Sequence, residues 1–329
     1  MSRKLISLSA AAILMSSTAM ADVPSVAVDI APVHSLVARV MRSVGEPNLI
    51  IPTNASPHRY NLRPSEAKAL QDANLVFWMG EGLAPWMENA LESLSSNAKI
   101  ITLLEQKETE LKEFREGALF EEHDHSDHEE GHDDHDDHDD HDDHDDHDDH
   151  DDDHDEHAHG KYDPHAWLSL ENARTWLNLI AAQLSATDPE NAGVYFSNAA
   201  EARAELETLI AEVNTMLKPV RGLKFVVFHD AYQYFENSFD FPASGAIALG
   251  DATDPSPARI AQIHGRIKEE GIDCVLAEPQ YKPGLVATVL DGSNAKASVI
   301  GPLGYGLEPG EKLYPQLIRQ MAKTLVNCL

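Results

Sequence analysis

Leu75-Val76-Phe77-Trp78-Met79 is five apolar residues without a break. A strand with one wet face alternates apolar and polar side chains. An unbroken run is what a strand covered on both faces requires. Its surroundings agree. Arg63 to Asp72, just before it, reads as a helix, with Pro64 where a first turn tolerates proline. Pro85 to Leu94, just after it, reads as another. Further out, Val26 to Ile30, Asn48 to Ile51 and Ile100 to Leu104 are short strand-like runs, and Ser35 to Val44 is helical. Strand and helix alternate, which predicts a parallel sheet with helices on its faces.

The alternation returns in the second half. Phe225 to Phe228, Ala246 to Leu249, Asp273 to Ala277 and Ser298 to Ile300 read as strands; Ala231 to Glu236, Ser256 to Glu270 and Tyr314 to Val326 read as helices. Between the halves lie a helical stretch, Leu170 to Ala186, and a longer one, Pro189 to Leu217, opened by Asp188 and closed by Pro219. At 1.5 Å per residue the longer one spans roughly 40 Å, enough to join two lobes. The expected fold is therefore α/β: two lobes, each with a mainly parallel sheet flanked by helices, joined by one long linking helix. The expected boundaries are an N-terminal lobe at 22–187, the linking helix at 188–219 and a C-terminal lobe at 220–329.

The first lobe is interrupted at 121–159 by an acidic, His-rich segment whose centre repeats His-Asp-Asp from His132 through His135, His138, His141, His144 and His147 to His150. Such a tract has no apolar residues for a core and is expected to be a disordered, solvated loop. Imidazole suits zinc, copper, nickel and iron, so the tract points to a transition metal and supplies weak auxiliary ligands. It also explains the net charge of −31. Of 56 acidic residues, 23 lie between Glu121 and His157 with no Lys or Arg among them, leaving 33 against 25 basic residues. Neither part has the basic face that nucleic acid would need.

Residues 1–21 read as a secretory signal peptide: Arg3 and Lys4, an apolar stretch from Leu5 to Met15 too short to span a bilayer, and a small-residue cleavage site at Ala19-Met20-Ala21. An unanchored protein, free in a compartment outside the cytoplasm, is expected. In an exported chain the two cysteines, Cys274 and Cys328, suggest a disulfide, with free thiols or a metal-binding pair as alternatives.

Five of the 18 histidines lie outside the tract. His58 sits in a turn-rich loop after a strand, and His165 in a loop just before a helix. His229 directly follows the strand Phe225 to Phe228, and Glu278 follows the strand ending at Ala277 in the same way. Parallel α/β sheets bind ligands at the carboxyl ends of their strands. Three imidazoles with one further donor make a tetrahedral zinc site, whereas Glu and Asp in place of histidines would tilt it toward manganese. His34 reads as a helix-start residue near the cleft and His264 as a surface residue. Asp163 and Asp230 are candidates to orient the imidazoles. With no Gly-x-Ser-x-Gly elbow, no enzyme is expected.

Four motifs in order, Ser56-Pro57-His58 with Leu62-Arg63-Pro64-Ser65, Asp163-Pro164-His165-Ala166-Trp167, Phe228-His229-Asp230-Ala231-Tyr232 and Ala277-Glu278-Pro279-Gln280, make the chain resemble the ZnuA type of zinc-binding protein, the solute-binding component of bacterial zinc ABC importers within the cluster A-I family. The resemblance covers essentially all of the mature chain. It implies two lobes on a rigid helix with metal in the cleft, and His58, His165 and His229 as zinc ligands. It also implies the Cys274–Cys328 disulfide and a periplasmic monomer. Zn²⁺ would be cargo, the membrane permease the partner, and periplasmic zinc chaperones a source of metal. A manganese or iron carrier of the same family and a stand-alone metal buffer are the competing readings. Some zinc members have Glu just before the first ligand, where this chain has Pro57. The fourth donor is thus a water, Glu278 or a His of the tract, with the first two favoured.

Overall fold

The computed structural model describes residues 23–115, 161–248, 255–279 and 283–329. The expected signal peptide and the His/Asp tract lie outside these.

The first sheet holds β1 (Val26–Val28), β2 (Asn48–Leu49), β3 (Leu75–Trp78) and β4 (Lys99–Thr102) in the order β2-β1-β3-β4. All its pairings are parallel. Helices α1 (Ala31–Met41), α2 (Pro64–Gln71) and α3 (Pro85–Leu94) connect the strands. Every residue of β1 and β3 is buried, as the unbroken apolar runs require. The helix α1 starts at Ala31, earlier than the expected Ser35, because Pro32 falls in its first turn, where no N–H is missed.

After α4 (Leu170–Thr187), one 3₁₀ turn at Pro189–Asn191 leads into α5 (Ala192–Leu217), 26 residues and about 39 Å long. Tyr195, Asn198, Ala199, Ala202, Leu206, Leu209, Val213 and Leu217 recur every three or four residues and form its buried stripe. The Asn198 side-chain amide donates to the Val40 and Arg42 carbonyls, satisfying the C-terminal end of α1.

The second sheet repeats the first. It holds β5 (Phe225–His229), β6 (Ala246–Ala248), β7 (Cys274–Ala277) and β8 (Lys296–Val299) in the order β6-β5-β7-β8, again all parallel. Helices α6 (Gln233–Phe239), α7 (Pro257–Glu269), α8 (Pro283–Leu290) and α9 (Leu313–Cys328) complete it. No expectation covered α8: Pro283-Gly284 looks like a break, yet the proline opens the helix.

Period-2 alternation sorts β5 between two layers. Phe225 and Val227 enter a core that runs without interruption through both lobes, while Val226 and Phe228 join a smaller cluster with Ile263, Ile267 and Val289 under α7 and α8. The last helix, α9, packs on α1 and α5 as well as on β7 and β8. Cys274 and Cys328 form a disulfide with Cα atoms 5.7 Å apart. It ties the end of α9 to the start of β7, the edge of the sheet away from the strands' carboxyl ends. Closing a loop of 54 residues is worth about 4 kcal/mol in the chain-entropy account.

Candidate metal centre

His58, His165 and His229 come together from three distant parts of the chain. Each offers one ring nitrogen within 4.8 Å of the others, and among the described residues no other group of three metal-ligating side chains does so. Their ring centroids are 5.9, 6.4 and 4.9 Å apart. Tetrahedral zinc at 2.0–2.1 Å from each nitrogen needs ligand atoms about 3.4 Å apart. The three rings are therefore within a small inward shift of a shared ion. They open onto a cavity of about 130 Å³ between the lobes, also lined by Pro57, Trp167, Glu278, Pro302 and Tyr305.

Each histidine is placed differently. His229 ends β5, and its Cα pairs with Ala248 in the ladder, so the sheet itself aims it into the cleft. His58 rides on a loop and is the most exposed of the three. That loop is pinned by the Trp86 indole, which donates to the Pro57 carbonyl at 2.8 Å, and by the Tyr60 hydroxyl, which donates to Glu66. His165 is held by the carboxylate of Asp163. Its backbone N–H and its Nδ1 both reach Asp163 Oδ1, at 2.9 and 2.6 Å, which leaves Nε2 to face the other rings. The other Asp163 oxygen accepts from Gln233. Burial lifts the Asp163 carboxyl, but the charge and hydrogen bonds of His165, with help from Gln233, outweigh it and hold it below its ordinary value. Trp167 packs its ring 5.2 Å from that of His165 and donates to the Pro302 carbonyl across the cleft.

Glu278 is buried beside His229, with Oε1 3.4 Å from Nδ1. It lines the same cavity but is not among the three converging donors. Asp163 touches the His165 imidazole directly, whereas Asp230 is bound by Arg115. His34, buried within α1, reaches the Pro47 carbonyl with Nε2, and His264 on α7 reaches that of Asp291. Neither belongs to the cluster. The tract histidines from His132 to His150 lie outside the described residues. So does a His-Glu-x-x-His string at His128-Glu129-Glu130-Gly131-His132, a metalloprotease pattern only when both histidines share a helix face.

Gln233, Tyr234, Trp86 and Arg115, all of which brace this site, carry no metal-binding signature of their own. Only Gln233 could have been noticed, since it opens a helix four residues after a strand-end histidine.

Comparison with known proteins bears on the fold and the family. Among solved structures the chain is similar to one described as a crystal structure of ZnuA, with a TM-score of 0.70 at 22% identity, covering 93% of this chain and 99% of that one. It is similarly close to FpvC from Pseudomonas aeruginosa in complex with Mn²⁺, with a TM-score of 0.71 at 19% identity, covering 93% and 98%. The fold alone therefore does not choose the metal. Relatives in sequence are nearer. The high-affinity zinc uptake system protein ZnuA of Brucella abortus (strain 2308) is 48% identical over 304 residues, covering 92% of this chain and 91% of that protein. That of Paracoccus denitrificans is 47% identical over 312 residues, covering 94% and 93%. The family model for the periplasmic component A of the zinc-uptake complex matches residues 26–328, and the chain belongs to that ZnuA family.

Proposed function

We propose that this protein captures Zn²⁺ in the periplasm and hands it to the membrane permease of an ABC importer, with His58, His165 and His229 as the ligands. One observation carries the reading: three imidazoles, two of them buried, converge in a cleft between two lobes, with Asp163 fixing the ring of one. A His₃ donor set suits zinc better than the harder manganese. The zinc-uptake relatives and the family description support the same cargo. Among the described residues no helix is long and apolar enough to cross a membrane.

The fourth donor is a water or Glu278. The 3.4 Å approach of Glu278 to His229 Nδ1 equally suits a carboxylate that orients the ring, the arrangement Asp163 makes with His165. The long α5 and the shared core restrain swinging of the lobes, so release on docking runs through small shifts of the cleft loops that carry His58 and His165. The chain is read as a monomer with a cleaved leader at 1–21, lobes at 22–187 and 220–329, and the linker at 188–219. The tract histidines, His132 through His150, form weak sites that collect zinc, including zinc from periplasmic chaperones.

A zinc-edge anomalous map of zinc-soaked crystals should show one peak within bonding distance of all three rings. A peak elsewhere, or manganese outcompeting zinc at equal free concentration, would end this reading. Ligand imidazoles must be neutral, so affinity should fall as pH drops below about 6.5. Deleting residues 123–159 should remove several weak sites and leave the tight one.

A further inference from the structure

Residues 112–115 and 161–163 lie on either side of the tract, and they are joined. Glu113 and Tyr162 form an antiparallel bridge, and the Asp163 N–H donates to the Lys112 carbonyl at 2.8 Å. This two-stranded stem is fastened to the start of α6 in the other lobe. The Lys112 N–H donates to the Tyr234 hydroxyl, which donates in turn to the Asp163 carbonyl. Gln233 donates both to the Glu113 carbonyl and to the Asp163 carboxylate that holds His165.

Arg115 closes the stem. Its guanidinium forms a fork with Glu236, at 2.7 and 3.0 Å, and also pairs with Asp230, the residue that follows His229. Both carboxylates are almost fully buried, and Glu236 also accepts the Ala243 N–H. Two acids in so dry a place need a fixed counter-charge, and among the described residues Arg115 is the one cation paired with both. Removing it leaves two buried carboxylates without their shared counter-charge, one of them next to His229 in the chain.

We infer that Arg115 is a positioning residue for the metal centre, locking the stem that carries His165 to the segment that carries His229, so that the two lobes' ligands keep one geometry. Bidentate pairing is what makes the residue specific: Arg can hold two carboxylates in one plane, while Lys is a point charge. The inference rests on the reading of His165 and His229 as ligands.

The test measures zinc affinity and melting temperature, with and without zinc, for the full chain, Arg115→Gln, Arg115→Lys, Cys328→Ser and His165→Ala. Arg115→Gln should lose about tenfold or more in zinc affinity, the range of an outer partner of a ligand. Its zinc-induced rise in Tm should shrink accordingly. Arg115→Lys should fall between it and wild type. Cys328→Ser, which loosens the fold far from the cleft, should lower both Tm values and leave affinity alone. Equal Tm losses with and without zinc, at wild-type affinity, in Arg115→Gln would overturn the proposal. If that variant does not fold, wild-type affinity in Arg115→Lys overturns it instead. A His165→Ala chain that binds zinc normally would refute the ligand assignment itself, a result separate from either of these.

Discussion

The two sheets have the same strand order and the same parallel pairing, yet they treat the ends of equivalent strands in opposite ways. In the second sheet, β5 ends on His229 and β7 is followed by Glu278, both directed into the cleft. In the first sheet, β1 is followed by Asp29, fully buried, whose two oxygens accept the N–H groups of Ile30 and Met79. That carboxylate is spent on backbone, and the first lobe supplies its two converging histidines from loops instead. A ligand at a strand end is aimed by the ladder. A ligand on a loop needs anchors, which here are Trp86 for His58 and Asp163 for His165. The C-terminal half of the centre is therefore built into the fold, and the N-terminal half is held by individual hydrogen bonds that can loosen.

The largest effects should come from the ligands. Zinc binding of about 10–16 kcal/mol, shared among four donors, puts each near 3–4 kcal/mol, or two to three orders of magnitude in affinity. His229→Ala and His165→Ala should both lose that much in a competition titration against a chelator, and the half-buried His58 should cost least. Equal losses for all three would erase the distinction between the two buried imidazoles and the less buried His58.

Asp29 tests the other side of the comparison. Burial raises its carboxyl from 3.8 to about 7 against the opposing pull of the Met79 and Ile30 N–H groups. A carboxyl whose folded value lies above its unfolded one favours the fold fully at low pH and loses that favour as pH rises through the folded value. Between pH 4 and pH 7 this one group should remove stability on the order of 4 kcal/mol. A ¹³C-carboxyl NMR titration should find its midpoint near 7; a midpoint near 4 would mean that the two N–H donors outweigh burial. The disulfide acts in neither half of the centre. Cys274→Ser should cost about 2–4 kcal/mol in denaturant unfolding, with zinc affinity unchanged.

What could be read from the amino-acid order follows the same division. Unbroken apolar runs such as Leu75 to Met79 announce buried parallel strands, and a histidine right after one points into the crevice, so the placement of His229 was visible from local order. His58 and His165 were legible as loop histidines, but their convergence depends on the tertiary fold, and only the resemblance to zinc importers joined them to His229. Of the anchors, only Asp163 was legible, as an acid two residues before a loop histidine. Trp86 acts on a carbonyl 29 residues away, and Gln233 on a carboxylate 70 residues away. Nothing about a tryptophan on an amphipathic helix signals such a partner, and Gln233 shows only its place at a helix start, four residues after a strand-end histidine. The helix α8 was hidden for a simpler reason, since proline and glycine together suggest a turn until a helix is seen to start on the proline.

The smallest effect is the most discriminating. In Trp86→Phe the ring keeps most of its packing against Tyr60 and loses the indole N–H that donates to the Pro57 carbonyl. A single neutral hydrogen bond is worth about 0.5–1.5 kcal/mol, so zinc affinity should drop only about two- to tenfold. The loss should appear as faster zinc release, because a loosened loop lets His58 leave first while His165 and His229 remain in place. Stopped-flow release into excess chelator would read it. A Trp86→Phe chain with unchanged release would mean that the His58 loop is held by its own turn structure, and that both halves of the centre are equally built into the fold.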